Sequence, residues 1–252
     1  MTGFKRRPDT PRGVERQLRR EAGFGCAKCG HPYIEYHHIV PWRERQHFEP
    51  EHMMALCGNC HPAVANLRLD RQYAIKHNPS NIRSGMVRGA LVYDQTELVF
   101  KVGGAYFENT PTILAFYGVP IISAKIVDGE VKVSIQLYDE KFFRIFEVVD
   151  NEITFRIDDF WDFEYRHNYA VVRSAPRRVA LEMDFRGSEA VINGKFNLLG
   201  TEVKISSDHI NIETGIISGG RIVDCGTGIA IGHGRIIPPH YAQRFPGATF
   251  QR

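Results

Sequence analysis

Apolar and polar positions follow one rhythm in the first ninety residues and another in the remainder. Thr10 and Pro11 make a capped start and Gly23 a stop, so the pattern predicts a helix over residues 11–22, with Arg12, Arg16, Arg19 and Arg20 on a basic face. Residues 33–40, Tyr-Ile-Glu-Tyr-His-His-Ile-Val, have strand character and end at Pro41, which removes a ladder donor. After a polar loop over 42–50, Val64, Leu67, Leu69 and Ile75 recur with few breakers and predict one helix over 61–77. Asn78-Pro79-Ser80-Asn81 interrupts that helix and opens a linker.

Beyond residue 90 the texture becomes short β-type runs separated by turn residues, among them 97–102, 131–137 and 152–157. Near the end, Ala190-Val-Ile, Glu202-Val-Lys-Ile, His209-Ile-Asn-Ile, Gly215-Ile-Ile, Arg221-Ile-Val and Gly228-Ile-Ala-Ile recur with Gly or Asn between them. They read as rungs of a short β-solenoid or as strands of a sandwich. The expected class is therefore α+β: a small module at 1–77 that begins with a flexible basic arm over 1–9, a linker at 78–89, and a β-rich domain at 90–252.

Charge sharpens this division. Residues 1–88 hold 15 Lys and Arg against 8 Asp and Glu, a net +7, whereas the remainder holds 17 against 21, a net −4. A cationic module joined to a mildly acidic one suits a phosphate-bearing partner, although a basic solvated face is the plainer explanation. With 43% hydrophobic and 24% charged residues, no long apolar run and no charged-then-apolar leader at Met1, the chain is expected to be soluble and cytoplasmic.

Cysteine spacing carries the first chemistry. Four of the five cysteines form two C-x-x-C pairs, Cys26/Cys29 and Cys57/Cys60, and two such knuckles complete the tetrahedron of a structural zinc ion. Cys225 stands alone in an apolar stretch and reads as a small buried hydrophobe. With the thiolates consumed by zinc, His37, His38, His52 and His61 remain inside the same short span and need another explanation.

The run Cys26-Ala-Lys-Cys29, His37-His38-Ile39-Val40-Pro41, His52, Cys57-Gly-Asn-Cys60-His61 resembles the zinc-containing branch of the HNH endonucleases, over roughly the first third of the chain. The resemblance implies a ββα-metal fold and a metal-dependent nuclease. It puts His37 and His61 on a catalytic divalent ion, Mg²⁺ or Mn²⁺, and makes His38 the general base that activates water. Neighbouring strand residues face opposite ways, which suits one ligand and one base unless the strand end twists. His52 stands where the family has an asparagine that orients the backbone, so it either orients or joins the metal as a third ligand. Ala65 occupies a position where some family members carry a further histidine.

Arg16, Arg19, Arg20, Arg43 and Arg45 are the expected phosphate contacts for DNA, double-stranded by preference. His47 and His77 read as ordinary polar residues, and His167, His209, His233 and His240 as structural. Asp158-Asp159-Phe-Trp-Asp162 reads as a strand end with a core Trp161, and residues 226–232 lack the strand-to-helix setting of a phosphate loop. The whole reads as an endonuclease coupled to a β domain that senses, targets or oligomerises, as in an antiphage effector. The alternatives are a catalytically decayed zinc-ribbon DNA-binding or interaction protein, and a phage or homing-type nicking enzyme.

Overall fold

A computed structural model describes residues 8–213 and 215–232, and the chain divides into two compact units, Met1–Val87 and Arg88–Arg252. Strand makes up 46% and helix 16%, so the class is α+β dominated by strand, and the sheets do not close. Most of the basic arm, together with His233 and His240, lies outside the described residues.

In the first unit, α1 (Arg12–Glu21) begins after Pro11, carries Glu15 in its first turn and Arg19 and Arg20 in its last, and so complements its own dipole. Gly23, at φ +66°, turns the chain out of the helix in the left-handed region. β1 (Glu35–His38) pairs antiparallel with β2 (Met53–Leu56) in the register Glu35↔Leu56 to His38↔Met53. All four β2 residues are buried, and the strand lies against α1. The core is small: Ile39, Met54, Leu56 and Val64 pack around Cys26, Ala27 and Cys57.

The single helix expected over 61–77 is two: α2 (Cys60–Ala65) and α3 (Leu69–His77). Asn66 ends α2, and Arg68 is extended (φ −60°, ψ 151°) before α3 begins. The apolar spacing explains the break, since Val64 belongs to the core while Leu67 and Leu69 are exposed, so no single stripe continues across residue 66. Lys76 Nζ, 2.7 Å from Glu21, ties α3 back to α1.

Residues 78–84, expected as part of a linker, fold with the first unit through α4 (Ser80–Ser84). The reason is Asn81, a buried side chain whose Nδ2 donates to Gly23 O at 2.9 Å and Gly30 O at 3.0 Å. A Cβ on Gly25 would meet Gly30 O at 2.3 Å, and one on Gly30 (φ +85°) would meet Asn81 Oδ1 at 2.3 Å. Glycine at these two positions is thus what lets the amide reach both carbonyls.

The second unit holds two open sheets built from antiparallel meanders with a few parallel pairings. The seven-stranded sheet runs in the order Thr227–Ile231, Thr112–Phe116, Val119–Val127, Glu130–Tyr138, Arg144–Val149, Glu152–Arg156, Met86–Ala90. In the ten-stranded sheet, Asp162–Arg166 through Gly215–Ser218 follow one another in sequence order, and Val99–Val102 adds a parallel pairing to Ala190–Leu198. The late repeats are therefore mostly strands of a meander and not solenoid rungs: short connections such as Leu199-Gly200 and Ser206-Ser207-Asp208 reverse the chain between antiparallel partners. Among the described residues, parallel pairing also joins Arg221–Val223 to Ala105–Glu108 and Thr227–Ile231 to Thr112–Phe116.

Two local expectations change here. Cys225 is exposed, because it follows the short edge segment Arg221–Val223 and does not enter the core. Trp161 is half-buried, and Phe160 and Phe163 take the core positions beside it. Asp162 is buried and neutralised by Arg173 at 3.6 Å, which accounts for that carboxylate structurally. No helix among the described residues is long and apolar enough to cross a membrane.

Asn81→Ala leaves two carbonyls without their donor, and is expected to destabilise the first unit by about 1–3 kcal/mol. Hydrogen exchange of the full-length chain should then rise over residues 23–31; unchanged protection there would mean that the Asn81 bridge does not hold the knuckle.

Candidate functional site

The four cysteines converge as their spacing requires. Their Sγ atoms lie within 4.8 Å of one another, Cys29 and Cys57 at 3.6 Å, close enough to bind a metal ion such as zinc. Sulfurs about 2.3 Å from a tetrahedral zinc are about 3.8 Å apart, so the group matches that ion's size. Each knuckle is a tight turn: Gly30 N–H donates to Cys26 O (2.8 Å), and His61 N–H to Cys57 O (2.9 Å). The thiols disturb one another. Burial, then the neighbouring thiols, raises Cys60; burial also raises Cys29 against a backbone donor at His31. Burial opposes ionisation of Cys57 too, but donors from the Cys60 backbone and the adjacent thiols outweigh it and lower that group. A dication at the centre resolves this conflict by favouring thiolate at all four.

Next to the thiols, the structure brings His37 and His61 together. His37, on β1, is buried; its Nε2 donates to Gln72 Oε1 at 2.9 Å, because the Gln72 amide nitrogen is engaged with Leu67 O at 2.8 Å. His61, on the first turn of α2, donates from Nδ1 to Glu35 Oε2 at 2.9 Å. In neutral rings these contacts leave the lone pairs on His37 Nδ1 and His61 Nε2, and those two atoms are 3.0 Å apart. Two facing lone pairs at that distance need a cation between them, either a shared proton or a metal ion. Ligands about 2.1 Å from one ion and at right angles to each other are separated by about 3.0 Å, so the pair fits two adjacent positions of an octahedral ion.

His38 faces a different set of neighbours. Its Nε2 donates to His47 O at 2.8 Å, and the ring sits among Trp42 (5.5 Å between centroids), His47 (4.8 Å) and Phe48 (6.0 Å). The His47 ring is itself pinned, accepting from Glu49 N–H at Nδ1 (3.2 Å) and donating from Nε2 to Val40 O (3.0 Å). In the neutral form of His38 the lone pair resides on Nδ1, the state a proton acceptor requires. Alternation along β1 thus separates the two adjacent histidines into two environments.

His52 is placed apart from the His37–His61 pair. Its side chain meets Tyr73 Oη at 2.6 Å and Glu49 at 3.8 Å, while its main-chain carbonyl accepts from Ile39 N–H at 2.8 Å, just beyond His38. Among the expected phosphate contacts, Arg20, Arg43 and Arg45 are exposed, Arg16 is half-buried, and Arg45 pairs with Glu49. Arg19 differs: it is buried, with Nη1 3.0 Å from Tyr36 Oη, as α1 lies against the β1–β2 hairpin through β2.

Comparisons of the chain with protein-family models, with curated proteins and with solved structures find no match. The reading of the site stands on geometry and residue chemistry alone.

Four contributors were not evident from sequence: Glu35, His47, Gln72 and Tyr73. Glu35 had a signal, since it lies two residues before His37 and shares its strand face. Gln72 and Tyr73 had none, because the break at Asn66 decides which way α3 faces. In the other unit, Ser206 and Asp208 both contact the same nitrogen of His209, at 3.0 and 2.9 Å, so that ring cannot relay a proton between them.

Purified full-length protein is expected to carry one zinc ion per chain by elemental analysis, lost in Cys57→Ser. Structural zinc in small domains contributes on the order of 10 kcal/mol or more, so a strong chelator should unfold Met1–Val87 selectively and leave the β unit's hydrogen exchange unchanged.

Proposed function

We propose that the Met1–Val87 unit hydrolyses DNA phosphodiester bonds as an HNH-type endonuclease of ββα-metal design, with duplex DNA as its substrate. The observation that carries this reading is the pair of lone pairs on His37 and His61, 3.0 Å apart, with each ring donating its other N–H outward, to Gln72 or to Glu35. Outer partners of this kind fix ring orientation in metal sites.

His37 and His61 would hold a divalent ion, Mg²⁺ or Mn²⁺, with two imidazoles favouring Mn²⁺ over Mg²⁺. When bound, such an ion supplies Lewis-acid stabilisation of charge on the phosphate and on the departing 3′ oxygen. The chain's own residues do the rest. His38 accepts a proton from water at Nδ1; the water oxygen forms a bond to phosphorus in line as the bond to the 3′ oxygen breaks, and solvent protonates that oxygen. The His47 carbonyl, held 2.8 Å from His38 Nε2, steadies the positive charge the ring acquires. His52 supports β1 through its main-chain carbonyl, and Arg16, Arg20, Arg43 and Arg45 hold backbone phosphates.

The β unit restrains or directs this activity through a sensing, targeting or oligomerising role, the arrangement of an effector nuclease in antiphage defence. Equal cutting by the isolated Met1–Val87 unit and the full chain, with no dependence on assembly, would sink that part. One observation favours a second reading, a retired nuclease that binds DNA: the His52 side chain is committed to Tyr73.

Supercoiled plasmid with purified protein in Mg²⁺, Mn²⁺ or EDTA separates the two. Metal-dependent nicking that falls about 10²–10⁴-fold in His38→Ala, with zinc content unchanged, is the expected result; no cutting in any metal would retire the enzyme reading. Glu35→Gln should weaken Mn²⁺ activation about 10–100-fold and spare the rate at saturating metal.

A further inference from the structure

The face of α3 that carries Arg71, Ala74 and Ile75, about a quarter turn from Gln72, has no part in the histidine site. Arg71, Ala74, Ile75 and Asn78 recur at i, i+3, i+4 and i+7 there, and with the first zinc knuckle they enclose an open cleft of about 440 Å³. Ala27, Leu67, Ala74 and Ile75 make an apolar floor, and Lys28, Arg71 and Arg83 stand around it; no carboxylate lines the cleft. Lys28 and Arg71 are exposed and have no side-chain hydrogen bond or ion pair among the described residues, whereas Arg83 donates to Asn78 O. Leu67 is 40% exposed over this floor.

Three exposed cations around one apolar floor, with no carboxylate among them, give the cleft a positive potential that favours an anion. The volume is that of a small-molecule site, and the mixture of greasy floor and cationic rim asks for a ligand with a flat apolar body and a phosphate. Arginine forks match phosphate oxygens, lysine adds a mobile point charge, and a base can lie on aliphatic side chains and guanidinium planes. An acidic peptide matches less well, because it has no flat body for the floor and spreads one charge per side chain.

We propose that this cleft binds a nucleotide, with Lys28, Arg71 and Arg83 on its phosphate and Leu67 and Ile75 beneath its base. The nucleotide arrives either free, as a monophosphate, or as a unit of a DNA strand. The proposal goes beyond the cleavage reading and does not depend on it, since none of the histidines lines the cleft.

The test uses full-length protein without added divalent ion, comparing wild type with Lys28→Gln/Arg71→Gln. Both positions are exposed, so zinc content and melting should be unchanged. Fluorescence polarisation with a labelled DNA duplex and a labelled single strand reads one source; calorimetry with deoxyadenosine monophosphate reads the other. If the cleft holds a strand, the double variant loses DNA affinity roughly tenfold or more and its salt slope drops by about 2, while Lys28→Arg/Arg71→Lys restores both. If it holds a free nucleotide, monophosphate binding is lost and DNA binding stays. Unchanged binding of every probe in the zinc-loaded double variant overturns the proposal, as does displacement by polyglutamate as effective as by the monophosphate. Wild-type protein that never cuts plasmid, together with loss of binding in the double variant, would support the cleft and count only against the nuclease.

Discussion

Four sulfur atoms that must meet within 4.8 Å set the geometry of the first unit. Its apolar core is a handful of side chains, too few to hold fewer than ninety residues by burial alone, and two of the core members are the cysteines themselves. The first knuckle is tied to β2 by Ala27 N–H to Ala55 O and to α4 by Ser80 N–H to Ala27 O, each 2.9 Å. The second knuckle, Cys57 to Cys60, leads directly into α2. Joining the knuckles therefore positions the hairpin, α2 and the unit's last helix at once.

The histidines inherit their positions from that framework. His61 follows Cys60 directly, so the residue that completes the thiol cluster also aims the imidazole at β1. His37 is on the strand paired with β2, which runs straight into Cys57. The distance between their nitrogens thus depends on the thiol cluster more than on any contact between the rings. His38, one residue along, turns to the other side and is steadied by a loop carbonyl and by Trp42 and Phe48.

Spacing in the chain made much of this legible. C-x-x-C pairs identify a thiol cluster because zinc accepts few geometries, and α1 was readable from its Pro start and Gly stop. The pairing of His37 with His61 was expected from a resemblance, and the structure supplies the 3.0 Å separation without identifying a family. What stayed hidden depends on tertiary contact. The break at Asn66, the inward turn of Arg19 and the anchoring of α4 by Asn81 are decided by which partner is near, and no local period encodes that. The β unit shows the same limit: short strands were evident, yet hairpin return and parallel rung look alike when Gly and Asn separate four-residue runs.

The hydrogen bond from Ile39 to the main-chain oxygen of His52 bears on how this site can vary. The contact that braces the strand end beside His38 belongs to the peptide backbone, which every amino acid possesses. Residue 52 is consequently separable into two positions in one: a carbonyl that any residue supplies, and a side chain at liberty to pair with Tyr73 or with something else. A histidine can stand where the resembled pattern has asparagine without moving His38. Substitution at such a place is a change of accessory, not of frame, and the accessory is where related chains can diverge in partner while keeping the same scaffold.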